Sequence, residues 1–237
     1  AQHAKLELVR HKLALEPGMR VLDSGCGGGG AATHLAEHAG VEVVGITVSR
    51  EQARLAAEAT DGLPVEIRVQ DYREVTERID RVVSIGMFEH VGAKNYRTYM
   101  TAVRSCLADA TGLTLLHSIG GNRPNHRTDH WMDRYIFPNS MLPTAAQIAV
   151  AAEGELTLED WHGFGPDYDR TLMAWHANIS SRWDELDATT ADDRFRRMWN
   201  FYLLVSAGGF RSRYLQLWQV VLSRDGLPEP YAPDHIR

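Results

Sequence analysis

The chain has 237 residues, 44% of them hydrophobic and 24% charged, which suits one α/β domain with a packed core and excludes bulk disorder. Its formal net charge of -6 excludes nucleic-acid binding driven by overall positive charge, so no nucleic-acid partner is expected. The two cysteines, Cys26 and Cys106, fall inside expected core elements, and no apolar run reaches the roughly 20 residues of a membrane span. A reducing, cytoplasmic setting is therefore expected.

Leu6, Val9, Leu13 and Leu15 recur at helical spacing, and Glu16-Pro17-Gly18 stops the helix they form. Residues 20–23 (RVLD) read as a buried strand entering a glycine cluster. A helix over 31–39, a strand over 41–46 and a helix over 49–59 follow, the last with Ser49 as N-cap and Gln52 completing a capping box. Strands over 65–69 and 81–85, a helix over 95–107 and a fifth strand over 113–117 continue the alternation. That rhythm predicts an α/β fold with a doubly wound parallel sheet covered on both faces. It breaks at residues 122–143, a long polar insert carrying Trp131, Tyr135 and Phe137, of the kind that serves as a lid or binding loop. Next come a helix over 144–152, a strand over 156–160, a Gly/Pro-rich loop over 162–166, helices over 168–186 and 192–207, and a strand over 213–222. The sheet thus has seven strands, and the proline-bearing tail 228–237 is expected to be loose.

The chemistry starts at residues 21–30 (VLDSGCGGGG). Glycines directly after a first strand let the chain turn sharply and let a ligand approach the next helix N-terminus without Cβ atoms in the way. A dinucleotide site prefers an acid at the end of the second strand, and residues 45–49 (GITVS) hold none. The D-x-G-C-G-x-G-G form is similar instead to the first motif of class I methyltransferases, whose loop wraps the methionine part of S-adenosylmethionine. Cys26 reads either as a nucleophile or as a small residue filling the space under the loop, and the absence of a histidine or acid near it in sequence favours the second reading. His126, Asp129 and His130 match no metal-ligand spacing, so no metal is expected there. Arg194, Arg196, Arg197, Arg211 and Arg213 form either a solvated face or a phosphate-binding patch.

Further segments narrow the resemblance: 45–52 (GITVSREQ), 70–73 (QDYR), 84–92 (SIGMFEHVG), 115–120 (LLHSIG), 135–139 (YIFPN), 159–162 (EDWH), 164–169 (FGPDYD), 172–175 (LMAW) and 216–221 (QLWQVV). Together they resemble the bacterial cyclopropane-fatty-acid synthases over nearly the whole chain. The resemblance implies a single catalytic domain over 1–237, with a lipid-binding insert at about 121–210, and full-length relatives that add an N-terminal domain and linker absent from this sequence. It implies transfer of a methylene group from S-adenosylmethionine to the cis double bond of a phospholipid acyl chain, with bicarbonate as base. It also implies peripheral attachment to the phospholipid bilayer and a homodimer as one state of the full-length protein. Carried over position by position, Glu89, His117, the backbone N–H of Ile119 and Tyr168 match the catalytic residues that hold the anion. Thr47 and Gln52 match the ribose positions, Asp71 and Tyr72 lie near the adenine, and Asp23, Gly25, Cys26, Gly27, Gln70 and Ile85 complete the cofactor set. Trp131, Tyr135 and Phe137 are the expected substrate-binding residues, at the mouth of an apolar tunnel with Arg123 or Arg127 for the lipid phosphate. Gly28 and Ser24 stand where the family carries an aromatic and an aliphatic residue, and Ser206 where many relatives have cysteine. Two other outcomes fit the same residues: methyl transfer without ring closure, and a cofactor-binding module without catalysis.

Overall fold

The computed structural model describes residues 1–125, 128–187 and 192–232. His126, Arg127 and the end of the expected loose tail lie outside the described residues. In chain order the strands are β1 (Arg20–Ser24), β2 (Glu42–Thr47), β3 (Val65–Val69), β4 (Arg81–Ile85), β5 (Leu113–Gly121), β6 (Thr157–Gly163) and β7 (Leu215–Ser223). The main helices are α1 (Gln2–Lys12), α2 (Gly30–Ala39), α3 (Arg50–Ala59), α4 (Tyr96–Cys106), α5 (His130–Tyr135), α6 (Ala145–Ala152), α7 (Gly165–Ser181) and α8 (Asp193–Arg211). One sheet runs β3-β2-β1-β4-β5-β7-β6, parallel except for β7, which pairs antiparallel with both β5 and β6.

Alternation along the strands explains why the sheet is buried on both faces. Leu22, Val44, Val82, Leu116 and Val220 face one core, under α4 and α6. Their neighbours Val21, Val43, Val83, Leu115 and Val221 face the other, where α1 and α2 supply Val9, Leu13 and Leu35. A smaller core joins α7, α8 and β7 through Leu172, Leu203, Phe210 and Leu217. No described helix is long and apolar enough to cross a membrane.

Several boundaries differ from the sequence reading for identifiable reasons. The fifth strand continues to Gly121 because β7 pairs with it along its whole length. The sixth strand takes in His162 and Gly163, which had read as loop, and α7 starts at Gly165 because a proline in the first helical turn needs no N–H partner. The helix that follows ends at Ser181, and α8 extends to Arg211. The insert is not wholly irregular: Asp129 caps α5 by accepting from the N–H groups of Trp131 and Met132. The box at α3 is half formed. Ser49 accepts from the Gln52 N–H, but the Gln52 side chain accepts instead from the Thr47 hydroxyl at 2.8 Å. The tail is anchored as far as Tyr231, whose hydroxyl donates to the Lys12 carbonyl at 2.8 Å.

Candidate active site

The parallel strands turn their carboxyl ends to one edge, and chain order reverses between β1 and β4, the place where such sheets open a crevice. Two depressions meet there. One is a groove lined by Ser24, Gly25, Gly27, Thr47, Gln52, Gln70, Asp71, Tyr72 and His90. The other is a cavity of about 390 Å³ whose walls include Glu89, His117, Ile119 and Tyr168. Ile85 and Gly86, at the end of β4, line both.

Local sequence builds the groove. Gly27 has φ +55 and Gly25 φ +97, backbone that L side chains rarely adopt. A Cβ on Gly25 would lie 2.7 Å from Met87, whereas one on Gly27 would meet no protein atom within 4 Å and would point into open groove. Asp71 is held by Arg73, accepting from its N–H and Nε at 2.9 Å, and this guanidinium keeps the carboxyl below its ordinary range. Two expected cofactor residues are displaced from the wall. Strand alternation turns Asp23 to the face covered by α1, where burial raises its carboxyl to about 7 and Lys5 opposes the shift. Cys26 fills the space against Gly45, and burial pushes its thiol to about 12, so it is packing and not a nucleophile.

Three elements bring the expected residues to the cavity. Glu89 sits in a short 3-10 turn, Phe88–His90, just after β4, and its Oε1 accepts from the Ile119 N–H at 2.6 Å. That N–H, expected to hold an anion directly, therefore holds the carboxyl. Glu89 Oε2 is buried without a partner among the described residues, as is His117 Nδ1 on β5. Burial raises the Glu89 carboxyl to about 7, against the hydrogen bond from Ile119. Burial, helped by Lys5 and Lys12, lowers His117 to about 3, so its ring is neutral near pH 7. Tyr168, in the first turn of α7, packs edge-on against Phe210 and Trp175, and burial raises its phenol to about 12. The cavity thus presents a hydroxyl donor, a neutral imidazole and a carboxyl that can carry a proton.

Sequence reasoning missed Lys5 and Gln219. Lys5 comes from α1, whose residues Gln2, Ala4, Lys5 and Leu8 roof the cavity together with the preceding Ala1, and nothing in its neighbours marks it. Gln219 lines the cavity because β7 pairs it with His117 on β5, and its Oε1 is another buried atom with no partner among the described residues. Trp131, Tyr135 and Phe137 do not line this cavity. Trp131 and Phe137 pack against α8, on Phe201 at 4.5 Å and on Tyr202 at 6.0 Å, while Tyr135 lies against Trp131, and Tyr135 and Phe137 are more than a third exposed. Three of the five arginines have partners of their own: Arg211 binds Asp169 through two 2.9 Å bonds, Arg213 donates to Gln216, and Arg196 lies over Trp183.

The chain is similar in sequence and fold to known proteins. The chain is 50% identical over 224 residues to the cyclopropane-fatty-acyl-phospholipid synthase of Escherichia coli (strain K12), covering 94% of this chain and 58% of that protein. It is 31% identical over 242 residues to cyclopropane mycolic acid synthase MmaA2 of Mycobacterium tuberculosis, covering 84% of that relative. The solved structure of MmaA2 superposes with a TM-score of 0.85 at 28% identity over 94% of this chain and 84% of that one. The structure of mycolic acid cyclopropane synthase CmaA1 complexed with SAH and CTAB matches equally, with TM-score 0.85, 28% identity and the same coverage. The model of the family described as mycolic acid cyclopropane synthetase matches residues 1–220, and the chain belongs to that family.

Proposed function

We propose that this chain is the catalytic domain of a cyclopropane synthase that transfers a methylene group from S-adenosylmethionine to the cis double bond of a phospholipid acyl chain. Residues 1–237 form that domain, with the lipid-binding insert at about 121–210. The carrying observation is the single cavity that gathers Glu89, His117, Ile119 and Tyr168 and shares Ile85 and Gly86 with the glycine-lined groove. The chain spans 58% of the length of its Escherichia coli relative, so the activity of the whole protein is part of this proposal.

The groove fits S-adenosylmethionine: Gly27 leaves its ligand side open, Thr47 and Gln52 offer a hydrogen-bonded pair to ribose hydroxyls, and Gln70, Asp71 and Tyr72 border the far end. That molecule would supply the one-carbon group. The cavity fits a small anion, with Glu89 Oε2 and His117 Nδ1 as buried polar atoms awaiting partners. Bicarbonate there would accept the proton released from the lipid. Tyr168 would donate a hydrogen bond from its hydroxyl to the anion, and His117, being neutral, would offer one ring nitrogen. Glu89 near its pKa carries a proton and so avoids like-charge repulsion, while Ile119 orients it. The low-polarity wall keeps loose water from the electron-poor centre.

Trp131, Tyr135 and Phe137, continued by the exposed Phe201, Leu204 and Val205, give an apolar face for acyl chains. Tyr202, which touches Phe137 and raises the Tyr168 phenol, carries that face toward the cavity. Arg123 and Arg213 line one surface hollow two residues further along the β5–β7 pair, suited to a lipid phosphate. This face attaches the enzyme peripherally to the inner side of the bilayer. Product analysis after incubation with unsaturated phospholipid vesicles, labelled S-adenosylmethionine and bicarbonate tests the reading. Cyclopropane acyl chains are expected; methyl-branched chains, or turnover indifferent to bicarbonate, would overturn it.

A further inference from the structure

Three histidines meet between α1 and α2, away from the cavity. His34 and His38 stand one turn apart on one face of α2, the spacing by which a helix offers two imidazoles to one metal ion. His3 comes from the first turn of α1. One ring nitrogen of each lies within 4.8 Å of the others. The His34 and His38 rings stack at 4.3 Å, and His3 meets both edge-on at 4.9 and 5.5 Å. Three nitrogens around a zinc ion at about 2.1 Å stand roughly 3.4 Å apart, so the rings must turn and draw together to take one ion.

Two of the rings already make the supporting contact that metal-bound imidazoles make through their other nitrogen. Glu7 Oε1 lies 2.8 Å from His34 Nε2, the carboxylate contact that fixes tautomer and ring plane in metal sites. His38 Nδ1 donates to the His34 carbonyl at 3.0 Å, which leaves its lone pair on Nε2. The ligand class follows from the donors: imidazoles take zinc, nickel or cobalt and not magnesium or calcium. Residues 1–4, at the start of α1, are exposed. Yet Ala1, Gln2, Ala4 and Lys5 form the roof of the cavity.

We propose that His3, His34 and His38 bind one zinc-class ion that staples the first turn of α1 to α2 and so holds the cavity roof in place. The metal site itself does not depend on the function proposed above. Titration calorimetry of the chelator-stripped 237-residue chain with zinc chloride near neutral pH is the test. One zinc per chain is expected, with no uptake of magnesium. His3→Ala and His38→Ala, both at exposed positions, should each weaken binding by more than about tenfold while leaving S-adenosylhomocysteine binding unchanged. Hydrogen exchange at the amides of residues 3–8 should slow with zinc in the parent chain and not in His38→Ala. Absence of stoichiometric binding, or equal zinc affinity in parent and variants, overturns the site. Zinc binding without protection of α1 overturns the staple.

Discussion

Tyr168→Phe separates catalysis from packing at the cavity. The ring keeps its edge-on contacts with Phe210 at 5.0 Å and Trp175 at 5.9 Å, so only a hydroxyl is lost and the fold should be unaffected. Burial holds the phenol pKa near 12, so the hydroxyl remains a donor throughout any neutral assay. Losing one oriented donor in a buried site costs about 10²–10³ in rate, or roughly 2.7–4 kcal/mol of transition-state stabilisation. Tyr168 lines the cavity and not the glycine groove, so cofactor affinity should stay within about twofold. The assay is initial rate on vesicles of a cis-unsaturated phospholipid at saturating S-adenosylmethionine, with calorimetry of S-adenosylhomocysteine binding alongside. The expected pattern is a fallen kcat, an unchanged KM for the cofactor and a weakened response to added bicarbonate. Full activity, or equal losses in binding and turnover, would show that Tyr168 is structural and refute its assignment to the anion.

Gly27→Val should abolish S-adenosylhomocysteine binding, since the new side chain points into open groove at φ +55; parent-like affinity by calorimetry would contradict the cofactor assignment. Glu89→Gln should slow turnover and remove a limb of the rate–pH profile near pH 7. Because the folded Glu89 keeps its proton up to about 7 against 4.5 unfolded, wild-type stability is lost as pH rises through that window. The Gln variant should escape that loss and gain up to a few kcal/mol over wild type above pH 8 in urea denaturation; equal stability there would refute the buried-carboxyl reading. Lys12→Met removes a buried ammonium that donates to Asp160 at 2.7 Å and leaves that carboxylate unpaired, so urea denaturation should show a loss of about 1–3 kcal/mol, less than for a wholly buried pair. A change under about 0.5 kcal/mol would remove Lys12 from the stabilising contacts of α1.

The sequence by itself determined whatever depends on neighbours along the chain. Alternating Val21/Leu22 and Val43/Val44 pairs marked strands buried on both faces, and the run at 25–30 marked the turn into α2, because pleat and φ are local properties. Glu89, His117 and Tyr168 were legible as candidates through the family resemblance of the segments 84–92, 115–120 and 164–169 that carry them. Gly165 and Pro166 misled as loop because a proline in a helix's first turn looks the same in sequence as a breaker. Only the tertiary structure decided how distant segments meet. The last strand, β7, inserts antiparallel between β5 and β6, and that pairing sets Gln219 beside His117. Folding α1 over the sheet edge brings Lys5 to the cavity and His3 to His34 and His38. Strand alternation turns Asp23 away from the groove toward Lys5, and close packing against Gly45 buries Cys26. These contacts join residues far apart in sequence, and their energy comes from desolvation and shape fit between elements, to which no local pattern of residue types is sensitive.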